Sequence, residues 1–209
     1  MTKRIARISS YIEDDEKVID VGCDSCLLSI MLAKREIYSV ASDLRENIIE
    51  NAKEKIDDNL KKYITFRVGD GITLKESENN YTLVLAGMGT YLMVNILKNT
   101  TKTFKKIITI SNNNHDILRK EFLHLGYIVE TEEIIKEKNK FYNLIIFTKG
   151  NKKYSEKDLI IGINHQNIPL LKEKNKELIK KYQNIINKIN DSEKIKELER
   201  TIKILESSI

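Results

Sequence analysis

The feature that most limits how this chain can fold is an alternation. Short runs of strand length, rich in Val, Ile, Thr and Tyr, recur at Lys17–Val21, Ile37–Asp43, Ile64–Asp70, Tyr81–Gly87 and Lys105–Ser111. Segments of helical character lie between them, at Asp24–Arg35, Arg45–Leu60, Thr90–Lys98 and Asn114–Leu125. The runs are almost continuously apolar, the pattern of strands buried on both faces, so they predict a parallel sheet covered by helices. In the second helical segment Ile48, Ile49, Ala52 and Ile56 share one face. Tyr127–Glu137 and Phe141–Thr148, joined by the polar tip Lys138-Asn139-Lys140, read as a β-hairpin that ends the sheet.

Beyond about Gly150 the pattern changes. Residues 151–209 hold 13 Lys+Arg against 9 Asp+Glu, so +4 of the chain's formal +5 lies there. Leu171, Leu178, Tyr182, Ile185 and Ile189, then Ile195, Leu198, Ile202, Leu205 and Ile209, form an a/d stripe. Pro169 suits a first helical turn, and Asn190 with Glu193 suits an N-terminal cap. The expected organisation is an α/β domain over residues 1–150 and an antiparallel helical hairpin over 151–209, with an irregular stretch at 154–166. Such an arm can stabilise the domain, pair two chains or contact RNA.

Charges interrupt the opening residues, MTKRIARISSYIED, which argues against a signal peptide, and no window approaches a membrane span. The two cysteines, Cys23 and Cys26, fit a reducing cytoplasm. A Cys-x-x-Cys alone lacks two ligands for zinc, and His115, His124 and His165 are scattered, so no metal is expected. A net +5 permits nucleic-acid binding without demanding it.

Candidate chemistry collects at the strand ends. The first strand runs into Asp20-Val21-Gly22-Cys23-Asp24, a turn that sets backbone N–H groups at the sheet's carboxyl edge. With Gly22 alone, the glycine-rich cradle of a dinucleotide site is missing. Asp43, followed by Leu44, ends the second strand, where a carboxylate can accept from both hydroxyls of a ribose or else cap the next helix. Gly69-Asp70-Gly71 ends the third strand, as an adenine contact or a simple turn. In Ala86-Gly87-Met88-Gly89 the glycines allow backbone carbonyls to approach a ligand closely.

Together these phrases resemble the bacterial tRNA (adenine-22-N1)-methyltransferases. Lys3-Arg4-Ile5, Asp20-Val21-Gly22-Cys23-Asp24, Gly69-Asp70-Gly71, Ala86-Gly87-Met88-Gly89, Phe141-Tyr142 and Leu170-Leu171-Lys172-Glu173-Lys174-Asn175 carry the likeness, collinear over nearly the whole chain. The family usually reads Asp-His-Ala-Tyr-Leu-Pro where this chain has Asp24-Ser25-Cys26-Leu27-Leu28-Ser29, and Gln-Pro-Asn where it has Ser111-Asn112-Asn113. The resemblance implies a class I, Rossmann-like sheet ending in an antiparallel hairpin, with a coiled-coil arm. It also implies S-adenosylmethionine as cofactor, tRNA as substrate, and a cytoplasmic monomer.

On that reading Asp20 faces the cofactor's cationic amino-acid end, and Gly22, Asp43, Leu44, Gly69, Asp70, Gly71, Ala86, Gly87 and Met88 complete its site. Neutral adenine N1 carries a free lone pair, so alignment with the methyl group matters more than a base. Asp24 can accept from the adenine amino group or cap a helix, and Asn113 can bond the base edge. Arg4, Arg7, Lys172, Lys174, Lys180 and Lys181 are candidate phosphate contacts. The alternatives are a small-molecule methyltransferase and an RNA-binding module with a degenerate cofactor pocket.

Overall fold

The computed structural model describes residues 2–71, 75 and 78–209. Helix α1 (Lys3–Ser10) leads into β1 (Val18–Val21), α2 (Leu27–Ala33), β2 (Ser39–Asp43), α3 (Glu46–Lys55), α4 (Asp58–Lys61) and β3 (Ile64–Val68). Then follow β4 (Thr82–Ala86), α5 (Thr90–Asn99), β5 (Lys106–Ser111), α6 (His115–His124) and the long hairpin of β6 (Tyr127–Glu137) and β7 (Lys140–Lys149). The chain ends in α7 (Glu156–Ile161), α8 (Ile168–Ile186) and α9 (Ser192–Glu206).

The strands form one sheet in the order β3-β2-β1-β4-β5-β7-β6. The first five pair in parallel, and β7 inserts antiparallel between β5 and β6. This is the Rossmann-like architecture with a terminal hairpin expected from the sequence. The two-residue period of a strand divides its side chains between two layers. Val18, Val84 and Ile108 pack with Ile8, Ile12, Leu28 and Leu32 of the α1–α2 side. Ile19, Leu83, Leu85 and Ile107 pack with Met93, Leu97, Leu118 and Phe122 of α5 and α6.

Three expected elements are corrected. The segment Arg45–Leu60 is not one helix: Ile56 leaves α3 in an extended conformation, 5% exposed, to join Ile49 and Ala52 in a core cluster, and α4 restarts at Asp58. Helix α2 starts at Leu27 rather than Asp24, because Asp24 and Cys26 adopt φ of 47° and 53°. The stretch 154–166 contains α7, held by a capping box between Ser155 and Asp158.

The arm is an antiparallel pair, as the bond from Asn175 Nδ2, early in α8, to Ser208 Oγ just past α9 requires (2.8 Å). Leu171, Leu198, Ile202 and Leu205 of the stripe are buried. Asn175 and Ile179 are buried with them, although the stripe reading passed over both. Asp191, not Asn190, caps α9, its carboxylate accepting from the N–H groups of Glu193 and Lys194. At the arm's root Arg119 of α6 forks onto Glu132 of β6 at 2.7 and 2.6 Å and donates to the Leu159 carbonyl at 2.6 Å. Gly162, at φ +102°, passes so close that a Cβ would lie 2.8 Å from Arg119 Nη2 and 2.7 Å from Glu132 Oε2.

Candidate active site

β1 and β4 are neighbours in the sheet although β2 and β3 intervene in the chain, so the strand order reverses between them. Open α/β sheets bind ligands at the carboxyl ends of their strands at such a point. A cleft of about 470 Å³ opens there, lined among others by Asp20, Gly22, Asp24, Asp43, Gly87 and Met88. That volume suits a nucleoside-sized ligand. Gly22 turns the chain at φ +71°, and a Cβ on it would meet Met88 Cε at 3.1 Å, so its lack of a side chain lets Met88 approach the turn closely.

The cleft's carboxylates differ in their partners. Asp20 is 5% exposed, and no donor to it is found among the described residues. Burial, then the charge of Asp43, raises its pKa to about 7. A buried carboxylate without donors favours a cation beside it. Asp43 is held below the usual carboxylate range, first by the Arg45 guanidinium. Arg45 Nε and Nη2 reach its two oxygens at 3.0 and 3.1 Å, and the backbone N–H groups of Arg45 and Asp24 donate to it at 3.0 and 3.3 Å. Asp24 stands at the rim with its side chain 71% exposed, 3.4 Å from Arg45 Nη2. It does not cap α2, whose N-cap position is Cys26.

Ala86, Gly87 and Met88 line the opposite wall. Asn112 braces their turn, its N–H donating to the Met88 carbonyl at 3.2 Å and its Nδ2 to the Gly87 carbonyl at 3.3 Å. Thr90 ties the same turn to β5 through Ser111 Oγ at 3.0 Å. The exposed leucines Leu27 and Leu92, from the first turns of α2 and α5, give the cleft an apolar lip.

Other candidate residues lie apart. Leu44 is 70% exposed and does not line the cleft. Gly69, Asp70 and Gly71 form the turn after β3, beside the cleft rather than in its wall: Gly69 N–H donates to the Asp43 carbonyl and Gly71 packs on Val21. Asn113 is exposed, and its backbone carbonyl accepts from Ser111 Oγ at 2.7 Å. Cys23 and Cys26 are buried free thiols, Sγ to Sγ 3.2 Å, and the bond from Cys26, then burial, pushes the Cys23 thiol up. Among the described residues no group of three or more His, Cys, Asp or Glu is placed to hold a metal ion.

Of the candidate phosphate contacts, Arg4 lines the cleft, stacks on Tyr142 and pairs with Glu137 at 2.8 Å. Arg7 pairs with Glu133 of β6 at 2.5 Å. Lys172, Lys180 and Lys181 are exposed on α8. Lys174 turns inward, where burial and the nearby Arg119 lower its pKa to about 8. Arg45, Thr90 and Asn112 escaped the sequence reading. A charged residue two positions after Asp43 is an available signal for the first, through the local turn an aspartate can make with the N–H two residues on.

The comparisons with known proteins agree with this fold. The tRNA (adenine(22)-N(1))-methyltransferase of Bacillus subtilis (strain 168) is 24% identical over 189 residues, covering 87% of this chain and 79% of that protein. The ribosomal protein L11 methyltransferase of Ruminiclostridium cellulolyticum is 31% identical over 133 residues, 63% of this chain but 36% of that protein. The structure of M. capricolum TrmK in complex with S-adenosyl-homocysteine superposes with a TM-score of 0.86 at 21% identity, covering 99% of this chain and 96% of that one. A family model described as a methyltransferase domain matches residues 1–145. With its sheet order, its switch-point cleft and that match, the chain belongs to the methyltransferase-domain family.

Proposed function

We propose that this protein transfers a methyl group from S-adenosylmethionine to N1 of an adenine in tRNA, position 22 by its likeness to the Bacillus subtilis enzyme. The observation that carries the reading is the convergence of Asp20, Asp24 and Asp43 on one cleft at the strand-order reversal. The likeness to the tRNA methyltransferase spans 87% of the chain.

The residues present fit the cofactor. Asp20, buried without donors, holds a cationic ammonium group; Asp43 accepts from a ribose diol; Gly22 and the Gly87–Met88 turn offer backbone groups close to the ligand. Bound there, the cofactor supplies an electrophilic methyl group on a sulfonium. Asp24 accepts from the amino group of the target adenine and stabilises the positive charge that develops on its ring. Leu27 and Leu92 pack on the base, which must leave its stack to reach the cleft, at a cost of a few kcal/mol. Residues 1–150 form the catalytic unit, and the basic arm of 151–209 takes phosphate contacts through Lys172, Lys180 and Lys181, whereas Arg4 and Arg7 are held by Glu137 and Glu133 of the hairpin. Leu171, Ile202 and Leu205 of the arm's apolar stripe are buried within the chain, in one cluster with Ile134 of the sheet, which supports a monomer. No helix among the described residues is long and apolar enough to cross a membrane, and the enzyme works in the cytoplasm, where its substrate is.

The test is transfer from labelled S-adenosylmethionine to unmodified tRNA transcripts, with the product nucleotide mapped. N1-methyladenosine at position 22, lost in Asp24→Ala, is expected. Cofactor binding without transfer to any tRNA sinks the tRNA reading.

A further inference from the structure

Asp43 is saturated. A carboxylate offers about four acceptor positions, and four donors already occupy them: two backbone N–H groups and two arms of the Arg45 guanidinium. The backbone donors belong to the N-cap residue of α3 and to the β1–α2 loop, so they stay. The guanidinium is on a long side chain 58% exposed to solvent. A ribose diol that bonds Asp43 therefore displaces Arg45. Its destination is set by its neighbours. Among the described residues lining the cleft the cations are Arg4 and Arg45, and Arg4 is committed to Glu137 and the Tyr142 ring. The carboxylates of Asp24 and Asp43 in the cleft repel a polyanion, and the freed guanidinium, still beside Asp24 at the rim, is the group able to offset them. Its fork of donors matches a phosphate.

Resting on the methyltransferase reading above, we propose that Arg45 couples cofactor loading to RNA capture. The ribose evicts it from Asp43, and it then binds a backbone phosphate flanking the extruded adenine. Cofactor and RNA thus bind with positive cooperativity, cofactor first. Arg45 is a positioning residue for the first ligand and a direct contact for the second.

The experiment measures S-adenosylhomocysteine affinity, and tRNA affinity against salt with and without S-adenosylhomocysteine, in wild type, Arg45→Ala and Arg45→Lys. Arg45→Ala removes the competitor and binds S-adenosylhomocysteine about 2–5-fold tighter. In wild type S-adenosylhomocysteine steepens the salt dependence of tRNA binding by about one phosphate contact. That increment disappears in Arg45→Ala, which binds tRNA about 3–10-fold more weakly in the loaded state. Arg45→Lys keeps the increment through its charge while losing the fork on Asp43. An unchanged S-adenosylhomocysteine affinity in Arg45→Ala, or a wild-type salt slope indifferent to S-adenosylhomocysteine, overturns the inference. If wild type still methylates tRNA in that case, the proposed function stands. A wild type that neither binds nor methylates tRNA removes both.

Discussion

Among the protein's arginine–carboxylate forks, two have opposite surroundings. Arg45–Asp43 sits at the rim of the cleft, its guanidinium 58% exposed, while Arg119–Glu132 is sealed at 0% on both sides. The chemistry is the same and the consequences differ because of water. The guanidinium of the first pair stands in water over a carboxylate only 5% exposed, so it is screened and can be exchanged for another donor at little cost. In the sealed pair neither ion can leave without stranding the other in a low-dielectric interior. One fork is a movable part of a site. The other fixes the root of the arm to the sheet through Leu159 and the Ile163 N–H, which donates to Glu132 at 2.9 Å.

The largest effect that can break this comparison is expected from Glu132→Ala. It strands Arg119 and lowers stability by about 3–5 kcal/mol, read by denaturant titration. Replacing both partners by apolar residues, Arg119→Met with Glu132→Leu, is expected to recover most of that loss. If the single and double variants are equally unstable, the fork is not a coupled unit.

Asp20 is the intermediate case, buried like Glu132 but without a guanidinium. The folded protein keeps its proton up to about pH 7, whereas the unfolded chain releases it near the ordinary value of 3.8. The stability linked to that proton is full below the unfolded value and is lost as pH rises through about 7. Asp20→Asn removes the loss, so at pH 8 the variant is expected to be more stable than wild type by on the order of 4 kcal/mol, with the advantage vanishing toward pH 4. The same substitution weakens S-adenosylmethionine binding, measured by calorimetry. A variant no more stable at pH 8 than at pH 4, relative to wild type, contradicts the raised pKa.

Gly162→Ala probes the sealed fork from the backbone side. The residue stands at φ +102° and ψ 176°, a conformation essentially reserved for glycine. The added methyl also points at Arg119, Glu132 and His165. A loss of about 1–3 kcal/mol is expected, with faster proteolysis of the arm. At the small end, Arg45→Ala leaves the melting temperature within about 2 °C of wild type, since the exposed fork contributes little to folding. A large drop there would erase the distinction between the two forks.

Much of the sheet was legible because its strands carry a local signal. Val18-Ile19-Asp20-Val21 and Tyr81-Thr82-Leu83-Val84 announce burial on both faces, and Asp20 and Asp43 stand out as acids where apolar runs stop. What stayed hidden depends on partners distant in sequence. Arg119 and Glu132 each read as a surface charge on its own element, and only the fold brings them together. Asn175 interrupts an apolar stripe, so the pattern skips it, although burial against Ser208 makes it a register pin for the hairpin. The break at Ile56 was equally invisible: the periodicity continues through it, and the core rather than the helix decides where that side chain goes.

The antiparallel insertion of β7 also carries a consequence for biosynthesis. β5 acquires its second neighbour only from the strand that ends at Lys149, after α6 and the whole of β6 have been made. On a ribosome that interval lasts on the order of seconds, during which β5 exposes an unpaired backbone edge. Cleavage between residues 112 and 140 thus leaves β5 without its antiparallel neighbour, whereas cleavage after residue 150 leaves β7 and β6 in place.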